Sequence, residues 1–377
     1  MGLWFISAAI LPEMARETPM SPAVAALLSS AVQGGFVVGA LASAVFGLAD
    51  RFDPRRVFAA CALAAALANL VLLAVVPGHP LAILARFVTG MALAGVYPVG
   101  MKIAIGWSDR DRGFLVGALV GALTLGSAAP HLIALSGGTD WRLAVIIASL
   151  VAAAGGLLAL TIGLGPKHAQ AKRFDPRVIP VAWTDRRIRL AYIGYLGHMW
   201  ELYAMWAWIA VAVGTAYALR LPGDEAIRLG RLTAFVAIGS GAIACLAAGW
   251  LADRIGKARV AMGAMIASGG AALAVAASFG GPVWLVFALV VFWGITIIPD
   301  SAQFSALVAD AAAPEQAGSL MTFQTALGFA LTTFSVQVTP VFAASFGWPA
   351  TFVVLSAGPA VGIFAMQRLI RLEARQG

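Results

Sequence analysis

The chain has 377 residues, of which 61% are hydrophobic and only 11% charged. A soluble domain carries about 25% charged residues, so this composition excludes a soluble globular protein and describes one that sits in lipid. The net charge of +8 does not point to nucleic acid, because the Lys and Arg residues fall in short loops between apolar runs, where they set membrane orientation.

A helix crosses about 30 Å of hydrocarbon in about 20 apolar residues. Residues 1–11 are apolar, but at 1.5 Å each they reach only about 16 Å and would leave a charged amine near the midplane. The expectation is a first helix that begins roughly 10–20 residues upstream of Met1. The stretch has no basic flank and no small-residue cleavage site, so it is not a signal peptide. Uncharged runs then predict spans over 24–48, from 57 to the Pro77-Gly78 pair, 81–105, 113–136 and 143–164. Cys61 and Cys245 lie inside apolar runs in different halves and read as small core residues, with no disulfide or metal site implied.

Residues 166–189 hold Lys167, Lys172, Arg173, Arg177, Arg186, Arg187 and Arg189, and form the joint between two halves. Further spans are predicted over 190–219 and 232–251. The uncharged runs 260–299 and 316–367 are each long enough for two, split at Gly280-Gly281-Pro282 and at Gly347-Trp348-Pro349. The fold class is therefore an all-α membrane protein with 12 transmembrane helices in two pseudo-symmetric six-helix bundles. These are 1–165, with its first helix incomplete, and 190–377, with a short cytoplasmic tail; 166–189 is a cytoplasmic central loop. With both termini cytoplasmic, the inner loops hold eighteen Lys and Arg, and the outer loops hold five: Arg16, Arg142, Arg220, Arg228 and Arg231. This distribution satisfies the positive-inside rule, and the reverse orientation would violate it.

Two loops match across the halves. FGLADRFDPRRV (46–57) and GWLADRIGKARV (249–260) both carry Leu-Ala-Asp-Arg, with Asp50 and Asp253 placed 203 residues apart. A loop recurring at half the chain length marks two copies of one unit. Twelve spans, a basic central loop and two G-x-L-A-D-R-x-G-[RK] loops, each between the second and third helices of its half, resemble the major facilitator superfamily over the whole chain. The second copy is close: Gly249, Leu251, Ala252, Asp253, Arg254, Gly256 and Lys257. The first has Phe46, Asp53 and Pro54 where the pattern has two glycines and a basic residue, with Arg55 and Arg56 following.

The resemblance implies a cytoplasmic gating loop, in which Asp50 and Asp253 meet helix ends while Arg51, Arg55, Arg254 and Lys257 pair across the interface. Plain topology-setting charge is the alternative. Asp53 adds a second negative charge to the first copy and is expected to weaken it. Arg86-Phe-Val-Thr-Gly90 resembles the family's R-x-x-x-G motif of the fourth helix. Gly113, Gly117, Gly121 and Gly126, ahead of Pro130, form a small-residue stripe read as helix packing. The stripe is similar to the fifth-helix motif of family antiporters but lacks its Gly-Pro pair.

A charge at bilayer depth costs about 2.5–3.5 kcal/mol on insertion scales, so each one needs a reason. Arg86 could bind an anionic group, relay a proton or form a structural ion pair, and Tyr97 falls nearly on its face. His198 and Glu201 share a face of the seventh helix near the midplane, among Tyr195, Trp200, Tyr203 and Trp206. A carboxylate beside an imidazole titrates near neutral pH and suits a proton site; a buried structural pair is the alternative. Asp300 follows Pro299, with Gln303 close by, where a broken helix can surround a site. His131, after Pro130, reads more readily as structural, and Lys102 as a snorkelling residue.

These features point to a secondary transporter of the major facilitator type, in which two bundles rock about a central site. The best site residues are Arg86, Tyr97, His198, Glu201, Asp300 and Gln303, with His131, Trp200, Tyr203 and Trp206 behind them; Glu201 is the first choice for proton coupling. No nucleophile–base set, metal spacing or phosphate-binding loop appears, so neither an enzyme nor an ATP-driven pump is read, and no cofactor beyond a proton gradient is expected. Arg86 and the histidines favour proton-driven uptake of a small organic anion by a monomer in a bacterial inner membrane. Proton-linked drug export is the rival, because midplane acids and aromatics suit lipophilic cations. A transport-inactive membrane sensor is the alternative of another class, and it would have no need of Glu201 and Asp300 at the midplane.

Overall fold

The computed structural model describes residues 2–46, 51–107, 112–136, 140–166 and 175–375, whose regular structure is entirely helical. The first half comprises α1 (Gly2–Glu17), α2 (Pro22–Phe46), α3 (Pro54–Leu70, prolonged by a 3-10 turn at Val71–Leu73), α4 (Pro80–Leu93), α5 (Tyr97–Ile105), α6 (Arg112–Ser136) and α7 (Trp141–Ala159). A short α8 (Ile179–Thr184) leads into α9 (Arg186–Tyr217), α10 (Gly223–Ile255), α11 (Lys257–Ala277), α12 (Val283–Ile297), α13 (Ser301–Ala311) and α14 (Pro314–Glu373). Helix starts are marked by Pro in the first turn and by aspartate caps. Asp53, Asp140 and Asp185 each accept a backbone N–H from the residue two positions on. Gly347 adopts φ 82°, which a side chain would strain, and there α14 bends between two helical stretches.

Nine stretches among the described residues are long and apolar enough to cross a bilayer, and the last, Gln316–Glu373, has the length of two. α1 and α9 fall outside that set, α1 being only 16 residues long. α9 is buried on all sides from Glu201 to Ala210 and packs along α14.

Four expectations change. The first helix runs past Pro12 to Glu17 rather than stopping at 11, because Glu13 and Glu17 both find cationic partners. α10 begins at Gly223 rather than 232, with Asp224 and Glu225 in its first turn, where the helix dipole favours acids. Arg228 and Arg231 therefore lie in a helix and not in an outer loop. Arg186, Arg187 and Arg189 open α9 instead of belonging to the linker, since Asp185 caps them. The fourth span is broken between Leu93 and Tyr97, where Gly95 lies against Cys61 and Pro98 has no N–H to donate.

Packing within the first half is backbone to backbone. A Cβ on Gly35 would overlap the Phe87 carbonyl, and one on Gly90 would overlap that of Val32, so α2 and α4 meet through glycine. α3 packs on α7, and α1 on α6. In the second half α9 and α11 pack on α14, and α10 on α12, where Gly294 meets the Ala237 carbonyl. The two sets of helices meet along α2–α14, α6–α10 and α1–α9.

Candidate functional site

α9 presents His198 and Glu201 one turn apart, both 1% exposed. The chain opposite is broken at Ile298–Asp300 between α12 and α13, where Pro299 cannot donate, and Asp300 is buried there. His198 Nδ1 lies 2.9 Å from Asp300 Oδ1. The approach is out of line for a hydrogen bond, and His198 Nε2 has no partner among the described residues. Glu201 Oε1 accepts from Trp293 Nε1 at 2.8 Å and Oε2 from Ser268 Oγ at 3.0 Å. The carboxylate beside His198 is thus Asp300 and not Glu201: spacing puts both α9 residues on one face, but that face meets several helices. Glu201 and Asp300 still feel each other's charge. Gln303 is buried one turn beyond Asp300.

Tyr97 opens α5 and lies within electrostatic reach of Tyr195, Tyr203 and Cys245. Cys245 of α10 bonds to Thr124 of α6 and senses Asp300. Tyr97 of the first half and Asp300 of the second thus share Cys245 as a neighbour. The helix expected to align Tyr97 with Arg86 is interrupted between them. Cys245 and Thr124 escaped sequence analysis because small residues in apolar runs carry no signal of their own.

Rings from both halves close over the centre. Tyr203 lies 5.7 Å from Trp4, 6.0 Å from Phe5, 5.1 Å from Phe329 and 5.7 Å from Trp206, centroid to centroid, and Phe36 is 4.5 Å from Phe329. Trp206 Nε1 is buried without a hydrogen-bond partner among the described residues. Trp200 turns away to α14, donating to the Val354 carbonyl at 3.1 Å.

Arg86 is fully buried and touches no carboxylate among the described residues. Nε donates to the Leu28 carbonyl at 3.2 Å, Nη1 to Asn69 Oδ1 at 2.9 Å, and Nη2 to the Leu3 and Trp4 carbonyls at 2.8 Å each. His131 is buried near Arg231, and neither ring nitrogen has a hydrogen-bond partner among the described residues. Arg231 pairs with Glu13 of α1. Sequence reading missed this pair by assigning Arg231 to a loop; the signal available was an acid immediately following the apolar start of α1.

In the repeated loops, Asp50 lies outside the described residues and Arg51 is exposed. Arg55 Nη2 meets Asp53 Oδ2 at 2.7 Å, and Nη1 donates to the Ile162 carbonyl at 3.3 Å. The Arg55 hydrogen bond holds the Asp53 carboxyl down at about 2. Asp53 therefore engages Arg55 within the loop and caps α3. In the second copy Lys257 Nζ meets Asp310 Oδ2 at 2.5 Å, Arg254 stacks 3.6 Å over Trp250, and Asp253 is exposed without an ion pair among the described residues.

The fold is similar to two solved transporters. One is a crystal structure of a point mutant of the nucleoside transporter NupG, at 14% identity and TM-score 0.73 over 98% of this chain and 96% of that one. The other is a bacterial homologue of the human lysosomal transporter Spinster, in an inward-facing and occupied conformation, at 12% identity and TM-score 0.75 over 98% and 94%. No curated protein matches the sequence. The family model of the Major Facilitator Superfamily matches residues 1–321, and the chain belongs to that superfamily: it is a membrane transporter and not an enzyme.

Proposed function

We propose that the chain is a proton-coupled secondary carrier that moves a small ring-bearing organic solute by alternating access between two six-helix bundles, 1–165 and 190–377, as a monomer in a bacterial inner membrane. Twelve crossings follow from taking α4 with α5, and α12 with α13, as broken spans, and from dividing α14 at Gly347. The observation that carries the reading is the buried His198–Asp300 contact beside Glu201. Titratable groups kept dry at depth, here inside the second half, suit coupling to a proton. The driving force is the proton gradient, with no bound cofactor.

The lining favours an uncharged or cationic planar solute over an anion. Arg86, the residue offered to an anion, has its donors committed to α1, α2 and α3, whereas the rings of Trp4, Phe5, Tyr203, Trp206 and Phe329 meet between the halves. A nucleoside, the solute class of the NupG neighbour, has a flat ring and no charge. The positive-inside rule places the end where α1 finishes on the outside. Cross-half bonds toward that end, including Ser30 Oγ to Gln337 Oε1 at 2.7 Å, tie the two halves together there.

Proteoliposomes given nucleosides, planar organic cations and carboxylate anions under imposed pH gradients test the reading. Glu201→Gln keeps an acceptor for Trp293 and should still exchange solute, while losing accumulation driven by the proton gradient. Intact accumulation by E201Q removes Glu201 from coupling, and transport confined to carboxylates overturns the solute class.

A further inference from the structure

The second half carries a crevice between α9 and α14 that the site above does not use. Ile193, Leu196 and Trp200 of α9 form one wall, and Leu331, Ala357 and Val361 of α14 the other, around a cavity of about 300 Å³. The two helices cross at Gly197 and Gly358, where a Cβ on either glycine would overlap the other's carbonyl, so no side chain fills the crossing. The crevice opens at Ala357 and Val361, both exposed on a stretch apolar enough to lie in a bilayer. The Trp200 indole N–H is already given to the Val354 carbonyl at 3.1 Å, so the wall side chains offer no hydrogen bond. Helical phase carries both walls to arginines. Residues 186, 189, 193, 196 and 200 fall on one face of α9, and 357, 361, 364, 368 and 371 on one face of α14. Arg186, Arg189, Arg368 and Arg371 are exposed and form no ion pair among the described residues. The acids nearby are engaged: Glu373 lies 3.6 Å from Arg187, which holds the two helix ends together, and Asp185 accepts the N–H groups of Arg187 and Ile188. Arg189 Nη1 donates to the carbonyl of Trp183, an exposed ring of the kind that sits at a membrane surface, and Arg368 lies 4.7 Å over the Phe364 ring.

We propose that this crevice holds one anionic phospholipid, with an acyl chain in the groove and the phosphate on the arginines above it. That the lipid belongs to the cytoplasmic leaflet rests on the orientation proposed above; the binding itself does not depend on transport. Charge selects the headgroup, because guanidinium forks match phosphate oxygens and no carboxylate competes for them. Depth selects the chain. From Arg189 to Trp200 the helix rises about 16 Å, and one leaflet of hydrocarbon is about 15 Å deep. A phosphate without chains leaves the groove empty. A second copy of this chain, docked by a two-fold axis through the same face, would set these arginines against their own duplicates. The lipid touches both helices at both levels, so it ties α9 to the last part of α14.

Native mass spectrometry of the full chain in detergent, titrated with lipid, reads the first bound molecule. Dioleoyl phosphatidylglycerol should bind at least about tenfold more tightly than dioleoyl phosphatidylcholine, which has the same chains and no net charge. Arg189→Gln combined with Arg368→Gln should weaken phosphatidylglycerol about 30-fold, at about fivefold per arginine. Arg51→Gln combined with Arg254→Gln removes the same charge elsewhere and should leave the affinity as it was. Ala357→Phe fills the groove without touching the charge and should weaken the lipid about tenfold by excluding its chain. All the replaced side chains are exposed, so the fold is kept. The proposal is overturned if phosphatidylcholine binds as tightly as phosphatidylglycerol, or if the Arg51 and Arg254 variant loses as much affinity as the crevice pair. It is equally overturned if A357F leaves the affinity unchanged, or if the spectra show a dimer that A357F dissociates.

Discussion

Replacing Arg86 separates a helix clamp from a solute ligand. Its guanidinium ties α4 to the Leu3 and Trp4 carbonyls of α1, the Leu28 carbonyl of α2 and Asn69 of α3. Hydrogen bonds between membrane helices average about 0.6 kcal/mol, and a charged partner about doubles that, so the four bonds contribute about 5 kcal/mol. Arg86→Met loses them but recovers the roughly 3 kcal/mol that holding a charge at depth costs. The net destabilisation is about 2 kcal/mol, or about 30-fold in the folded ratio. Arg86→Lys keeps the charge cost, yet one ammonium cannot reach acceptors on three helices, so it also loses about 2 kcal/mol. Both variants should therefore melt earlier than the parent in detergent by a similar margin, while solute affinity per folded molecule stays unchanged. If Lys restores solute binding that Met abolishes, with both melting like the parent, the charge serves the solute and the clamp reasoning fails.

Two further outcomes follow from local geometry. Gly90→Ala places a methyl on the Val32 carbonyl, which is backbone and cannot turn aside, so it should cost about 1–3 kcal/mol in thermal denaturation. Gly155→Ala, with open space around it, should be neutral or stabilising, and equal losses from the two would refute the close-packing account. Asp53→Asn retains the cap on α3 and removes only the charge facing Arg55. Because the folded carboxyl is held at about 2, below its usual range, its contribution is present above the unfolded value and lost as pH falls toward 2. The difference in melting temperature between parent and D53N should be visible near neutrality and close in acid; a difference that widens in acid contradicts the pairing.

What the amino-acid order determined is what lipid enforces segment by segment. Uncharged runs had to become helices, because no other open backbone is satisfied in hydrocarbon. Gly280 and Gly347 had to interrupt them, since both adopt positive φ. Pro299 had to leave a break beside Asp300, and the repeated loops revealed the duplication. The partner of each polar side chain was decided only by the tertiary structure. His198 meets Asp300 about a hundred residues away rather than Glu201 on its own face, and Arg231, apparently a loop charge, is buried against Glu13, which lies 218 residues earlier. Arg86 is consumed by carbonyls that hydropathy does not register. Membrane insertion reads each helix against lipid, a local quantity, whereas pairing depends on which faces meet after helices pack through glycine. That choice is made by the shape and charge of both partners at once.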